Sequence, residues 1–179
     1  MSKKSLNLSI PEELVKKARD EDINLSDFLT KKLRNKLQST YYFWNTDKAH
    51  LPNGNDGTKA LEIGIAATYG GYDDKIEKPE IGDYIFAYVS GNGLRGFGKV
   101  TGDPKKDVEK NQIAPETKKE HQLPVEWIIT LNENEAIEPQ DIRYILDQQV
   151  PAGTMVKIKK NKDRARLLAD HIKAKGGKQ

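Results

Sequence analysis

Leu6, Leu8 and Ile10 alternate with Ser5, Asn7 and Ser9, the period-two pattern of a strand with one apolar face. Pro11 stops that ladder, and Pro11-Glu12-Glu13 is a sound helix start, with proline in the first turn and acids at the positive end of the dipole. Leu14, Val15 and Ala18 continue at helical spacing to about Asp20–Asp22. After the connector Ile23-Asn24-Leu25, Ser26 reads as the cap of a second helix, and Phe28, Leu29, Leu33 and Leu37 share one face. Such a strand–helix–turn–helix unit leaves its strand edges unpaired. Below ~40 residues its apolar face is too small to offset chain entropy. A twofold dimer, with two antiparallel strands and four interlocked helices, resolves both problems.

After the linker Gln38-Ser39-Thr40 the period-two signal dominates. Tyr41–Asn45 reads as an aromatic strand, 46–58 as a loop, 59–69 as a strand segment broken by Tyr69-Gly70-Gly71-Tyr72, and 73–79 as a loop or helical turn. Gly82–Val89 and Leu94–Val100 form a hairpin around Ser90-Gly91-Asn92-Gly93. A hydrophilic loop over 103–122 precedes a strand at Val125–Leu131. A helix at Glu138–Ile145, a short strand at Met155–Lys159 and a helix at Lys162–Ala174, apolar at Ala165, Leu168, Ala169 and Ile172, complete the pattern. The expected fold class is α+β: an intertwined N-terminal dimer unit over 1–38, then a mixed β-barrel domain with flanking helices over 41–175.

Charge sharpens this picture. The net +3 is uneven: residues 1–40 hold nine basic and six acidic residues, and 155–179 hold nine and two. Basic ends around an acidic middle permit nucleic-acid contact. The absence of cysteine excludes disulfides, thiolate metal ligands and a cysteine nucleophile. The three histidines lack metal-site spacing, and His50 and His121 fall in polar loops and read as exposed. No stretch approaches the ~20 apolar residues of a membrane span, and no apolar core follows the N-terminal lysines as in a secretory signal. The reading is a cytoplasmic protein needing neither metal nor cofactor. No enzyme is expected. Gly91-Asn92-Gly93-Leu94-Arg95-Gly96 has the glycine spacing of a phosphate loop but lies in a hairpin, and Asp73-Asp74 would point to opposite sides of a strand.

Residues 8–19, Leu-Ser-Ile-Pro-Glu-Glu-Leu-Val-Lys-Lys-Ala-Arg, followed by Ile23-Asn24-Leu25-Ser26, resemble the ribbon–helix–helix DNA-binding family, above all its antitoxin-like members. That resemblance covers 3–38. It implies a two-stranded ribbon in the DNA major groove, with Lys3, Ser5, Asn7 and Ser9 facing the bases and the amides around Leu25 and Ser26 meeting a phosphate. Gly-Asp-Tyr-Ile-Phe-Ala-Tyr-Val-Ser-Gly (82–91) with Leu-Arg-Gly-Phe-Gly-Lys-Val (94–100) resembles the EVE branch of the PUA-like superfamily. With Val125-Glu126-Trp127-Ile128 the hairpin is also similar to YTH domains, which share that fold. These resemblances imply a pocket for an extruded, often methylated base, stacked on aromatic faces. Its candidate lining is Trp44, Asn45, Thr68, Tyr69, Tyr88 and Ser90, with Arg95 on a phosphate. The sequence departs from the YTH pattern in lacking a tryptophan over 61–68 and any aromatic over 103–122. An ASCH-type hydrolase of the same superfamily would need a Lys and a Glu in the pocket, for which Glu62 and Lys99 are the candidates.

Three functions are therefore in view. The first is a homodimeric DNA-binding regulator whose second domain binds a base or a modified or single-stranded nucleic acid. The second is a reader of modified bases in which the ribbon only dimerises. The third is an antitoxin-like interaction protein.

Overall fold

The computed structural model describes residues 9–38, 40–47, 58–71, 73–150, 152–158 and 162–177. The predicted strand over 5–10 lies largely outside them, and Ser9 and Ile10 are not part of a strand among the described residues. Contacts divide the chain into two units, Met1–Gln38 and Ser39–Gln179.

In the first unit α1 spans Glu12–Asp20 and α2 spans Leu25–Gln38. Glu12 and Glu13 open α1 and Lys17 and Arg19 close it, each complementing the helix dipole. The turn is made by Asp22 at φ 56°, with the Ile23 amide returning 2.7 Å to the Ala18 carbonyl. Asn24, not Ser26, caps α2: its Oδ1 accepts from the Asp27 amide at 3.1 Å. Several of the predicted apolar residues stay open to solvent, while Val15 and Leu29 are half-buried. Leu14, Ile23, Phe28 and Leu33 are 40–49% exposed, and Ala18 is the one buried hydrophobic residue among those described in this unit.

The second unit is a six-stranded sheet in the order β2-β5-β4-β3-β1-β6. The strands are β1 (Tyr41–Asp47), β2 (Ile65–Tyr69), β3 (Tyr84–Ser90), β4 (Gly93–Val100), β5 (Glu120–Thr130) and β6 (Met155–Lys157). The helices are α3 (Thr58–Glu62), α4 (Asp73–Ile76), α5 (Pro139–Leu146) and α6 (Lys162–Gly176). β1 runs parallel to β3 and antiparallel to β6; the β3–β4 hairpin is the predicted one. Three strands separate β1 from β2, yet the Trp44 indole Nε1–H donates to the Ala67 carbonyl at 2.8 Å. The sheet must curl to allow this, and it forms half a barrel.

Alternation along the strands builds two cores. One face gathers Tyr42, Trp44, Ile85, Ala87, Val100 and Val125 with Ala60 and Leu61 of α3. The other gathers Phe43, Phe86, Phe97 and Leu131 against Ile142 and Leu146 of α5 and Leu168 and Ile172 of α6. The predicted strand over 59–69 is two elements. Lys59-Ala60-Leu61-Glu62 are strong helix formers that bury Ala60 and Leu61, Gly64 turns at φ 73°, and the strand starts at Ile65. β5 starts at Glu120, inside the predicted loop, because β2 pairs with Glu120–Pro124. Glycine lets Trp127 lie close on β4: a Cβ on Gly98 would lie 2.7 Å from its ring, and one on Gly96 3.3 Å.

The Tyr42 hydroxyl donates a hydrogen bond to the Lys78 carbonyl at 2.9 Å. Burial, then the carboxylates of Asp83 and Glu80, push its pKa up to about 12. The folded value lies above that of an unfolded tyrosine, so the neutral phenol stabilises fully below about pH 10, and that contribution is lost as pH rises toward 12. In a 295 nm titration of the seven tyrosines, Tyr42→Phe is expected to remove the last-titrating component. Loss of the hydroxyl bond should also lower stability by about 1 kcal/mol. A titration curve unchanged by the substitution would contradict the assignment.

Candidate nucleic-acid interface

Of the residues assigned to the ribbon, Lys3, Ser5 and Asn7 lie outside the described residues. Ser9 is exposed, as is Ser26 in the first turn of α2, where Leu25 is half-buried.

In the sheet unit the candidate pocket residues divide by strand face. Trp44 is 2% exposed and stacks on Trp127, with centroids 6.1 Å apart and planes at 28°. Trp127 in turn donates from Nε1 to the Ala60 carbonyl at 3.4 Å. Thr46 follows Trp44 by two residues in β1, and Thr68 follows Ala67 in β2. Both threonines are buried, and neither hydroxyl has a hydrogen-bond partner among the described residues. Tyr69 ends β2 packed against the same core, with the Lys118 Nζ 5.7 Å above its ring.

Asn45 and Tyr88 belong to the opposite face. They are register partners; the Tyr88 ring meets Phe43 edge-on at 6.5 Å, and the Asn45 side-chain amide donates to the Gly153 carbonyl. Burial raises the Tyr88 pKa while the positive charge of Arg143 opposes the rise. Ser90 is exposed at the strand end. One pocket therefore cannot hold Trp44 and Asn45 side by side, since neighbours in a strand point apart.

Arg95 is 4% exposed rather than presented to solvent. It sits in the bulge between Ala87↔Gly96 and Tyr88↔Leu94. Its guanidinium donates to the Leu131 carbonyl at 3.1 Å and the Thr58 hydroxyl at 3.0 Å. The bulge turns it inward, so the expected phosphate contact gives way to a structural one. Glu62 and Lys99 are both exposed.

The segment before β5 holds what the sequence pattern missed. Glu120 is 0% exposed, and its carboxylate accepts from the amides of Gln112, Ile113 and Ala114 at 2.5–3.2 Å and from Gln122 Nε2 at 2.6 Å. This folds the loop so that Ile113 reaches the Trp44 core. His121 is buried, not exposed, and its Nδ1 accepts from the Asp107 amide at 3.2 Å. Nothing in the polar run Lys118-Lys119-Glu120-His121-Gln122 marks either residue as internal. Among the described residues no three His, Asp or Glu side chains gather as a metal site requires, and no helix is long and apolar enough to cross a membrane.

Residues 3–48 match the family of the post-segregation antitoxin CcdA, which covers the first unit and β1. No curated protein matches the chain. Among solved structures, the Mmi1 YTH domain superposes with a TM-score of 0.53 at 16% identity, over 76% of this chain and 89% of that one. A complex of the YTH domain-containing protein mmi1 with RNA gives 0.52 at 17%, over 75% and 81%. The YTH domain of the Zygosaccharomyces rouxii MRB1 protein, in complex with N6-methyladenosine RNA, gives 0.50 at 12%, over 76% and 85%. At such identities the likeness shows the fold: the curled sheet and its helices are YTH-like, within the PUA-like architecture. YTH is one of the two families that the hairpin over 82–100 resembles.

Proposed function

We infer that this chain is a homodimeric nucleic-acid-binding regulator that acts by binding and not by catalysis. Two copies pair through residues 1–38 as a ribbon–helix–helix, the ribbon reads the DNA major groove, and each YTH-like domain takes a base. The observation that carries the reading is the uncovered apolar face of Leu14, Ile23, Phe28 and Leu33, in a segment that matches an antitoxin family. A unit whose described residues include one buried hydrophobic side chain, Ala18, is completed by the core that a second copy would supply. The basic residues at both ends supply phosphate contacts, so binding weakens steeply with salt.

A second reading, a modified-base reader with a purely dimerising ribbon, draws on the likeness to a domain crystallised with N6-methyladenosine RNA. The experiment separating them titrates the full chain and Asn7→Ala with the duplex upstream of its gene, and with methylated and unmethylated oligonucleotides, at two salt concentrations. For the regulator, Asn7→Ala should weaken duplex binding by about 10-fold, the loss of one bidentate base contact. Unchanged duplex binding combined with preference for a methylated strand would establish the reader instead.

A further inference from the structure

On the face of the sheet opposite Trp44, α5 and α6 cover Phe43 and Phe86, but one row at the margin stays open. Tyr41, Tyr84 and Lys99 are successive register partners on β1, β3 and β4, and Glu126 continues the row on β5. Such partners share a face, and at ~4.8 Å per strand the row runs about 14 Å. Both tyrosines pack on the second core yet stay half-buried, and Lys99 and Glu126 are exposed. Tyr41 stacks on Tyr84 at 5.3 Å, and Tyr84 on Phe97 at 5.2 Å. Because β1 and β4 flank β3, both faces of the Tyr84 ring are taken, and its edge and hydroxyl remain free to meet a ligand. Charge borders the row along α6. The Lys173 Nζ lies 5.2 Å over the Phe97 ring and pairs with Asp170 at 3.6 Å. Burial, then Tyr84, raises the Tyr41 pKa; Arg166 opposes the rise and Asp170 adds to it, so both of these α6 side chains lie near the Tyr41 hydroxyl. Arg166 is exposed. Among the described residues neither Lys99 nor Arg166 has a carboxylate within ion-pair distance.

Resting on the nucleic-acid reading above, we propose that this row and the bordering side of α6 form a docking surface for the backbone of single-stranded RNA, on the face opposite Trp44. Unpaired exposed cations attract phosphates, and the tyrosine hydroxyls can donate to phosphate or ribose oxygens. The two carboxylates, Asp170 and Glu126, would repel an unbroken file of phosphates. They can instead accept from ribose 2′-hydroxyls, which DNA lacks, and this selects RNA. The row lies at the foot of a helix that stands on the sheet. A stiff duplex cannot bend into that corner, whereas a single strand can follow it. Backbone contacts carry no sequence information, so the surface holds a strand in place and shows little sequence preference of its own.

The test titrates the full chain, by fluorescence anisotropy over a range of salt, with a labelled mixed-sequence RNA strand about 10 nucleotides long, a usual site size for one sheet domain. The DNA strand of the same sequence and the duplex upstream of the gene are titrated alongside. Lys99→Ala/Arg166→Ala removes two exposed cations and should weaken RNA binding by about 10-fold, the loss of two exposed ion pairs. It should also flatten the slope of log affinity against log salt by about 1.4, at ~0.7 for each phosphate contact on a single strand. Tyr41→Phe/Tyr84→Phe keeps the ring ladder and should cost about 5-fold per hydroxyl that bonds the strand. Lys59→Ala/Lys110→Ala removes the same charge from exposed positions elsewhere on the unit and should leave affinity and slope unchanged. An equal loss in this control would mean diffuse attraction and overturn the proposal. So would RNA binding indifferent to Lys99→Ala/Arg166→Ala, with the functional reading intact. Duplex binding without RNA binding would likewise remove this surface and keep the regulator, whereas failure of every nucleic acid to bind would remove both. A DNA strand held as tightly as RNA would overturn the choice of RNA. A dimer constant that shifts with Lys99→Ala/Arg166→Ala, without RNA binding, would assign the face to a second copy instead.

Discussion

Glu120→Ala is expected to cost the YTH-like unit about 4 kcal/mol, lowering its thermal midpoint by about 10 °C or more. The carboxylate is fully buried and accepts three consecutive backbone amides, Gln112, Ile113 and Ala114, together with the Gln122 side chain. Removing an acceptor whose donors stay buried forfeits roughly 1–3 kcal/mol per orphaned group, more when the acceptor is charged. Not all three amides would stay buried, because the loop would lift and expose them. It would then uncover Ile113, which packs in the core of Trp44 and Ile85. Either route is expensive. Glu120→Gln keeps one carbonyl oxygen but brings an amide group facing other donors, so about half the loss is expected. Differential scanning calorimetry of the two variants measures both effects. A midpoint for Glu120→Ala within a degree or two of wild type would mean that this carboxylate does not hold the loop.

Glu120 also shows which parts of this molecule a linear pattern conveys. The β3–β4 hairpin was legible because Tyr84–Val89 is a long apolar run bounded by Gly82-Asp83 and by the glycines at 91 and 93. α6 was legible from Ala165, Leu168, Ala169 and Ile172, all of which are buried. Their burial is determined by neighbours a few residues away. Glu120 and His121 are internal only because β2, distant in sequence, pairs with them, and no local period encodes that. Arg95 turns inward through a one-residue bulge, which is equally invisible along the chain. The separation of Trp44 from Asn45 follows from strand alternation alone. The family pattern grouped them as pocket residues, whereas period two assigns them to opposite faces. Among the described residues the buried hydroxyls of Thr46 and Thr68 have no hydrogen-bond partner, and only Thr68 was singled out from sequence. The first unit is the reverse case: its helices were clear from their spacing, but the strand read over 5–10 lies largely outside the described residues.

The dimer proposed for that unit makes Leu33→Asp the substitution with the largest expected functional effect. Leu33 is 49% exposed on α2, on the face it shares with Leu29 by helical spacing. A surface position away from special features tolerates substitution to within about 0.5 kcal/mol, so a unit that works alone would hardly notice the change. If the face is the core of a dimer, the aspartate is buried in apolar surroundings in both copies at once. An uncompensated buried carboxylate costs several kcal/mol. With two per dimer, the dissociation constant should rise by about a thousandfold or more, since each 1.4 kcal/mol is tenfold. Sedimentation equilibrium should then find a monomer at micromolar concentration, and duplex binding should fall with the dimer, because a ribbon needs both strands. The YTH-like unit carries its own two cores, so its thermal midpoint should stay within about 2 °C of wild type, as for a site outside its cores. Leu33→Met, which preserves volume and apolarity, should keep the dimer and its duplex binding. If Leu33→Asp stays dimeric and binds duplex normally, this face is not where two copies meet. If it becomes monomeric yet still binds a methylated oligonucleotide at full strength, base binding belongs to the YTH-like unit alone and the ribbon contributes only pairing.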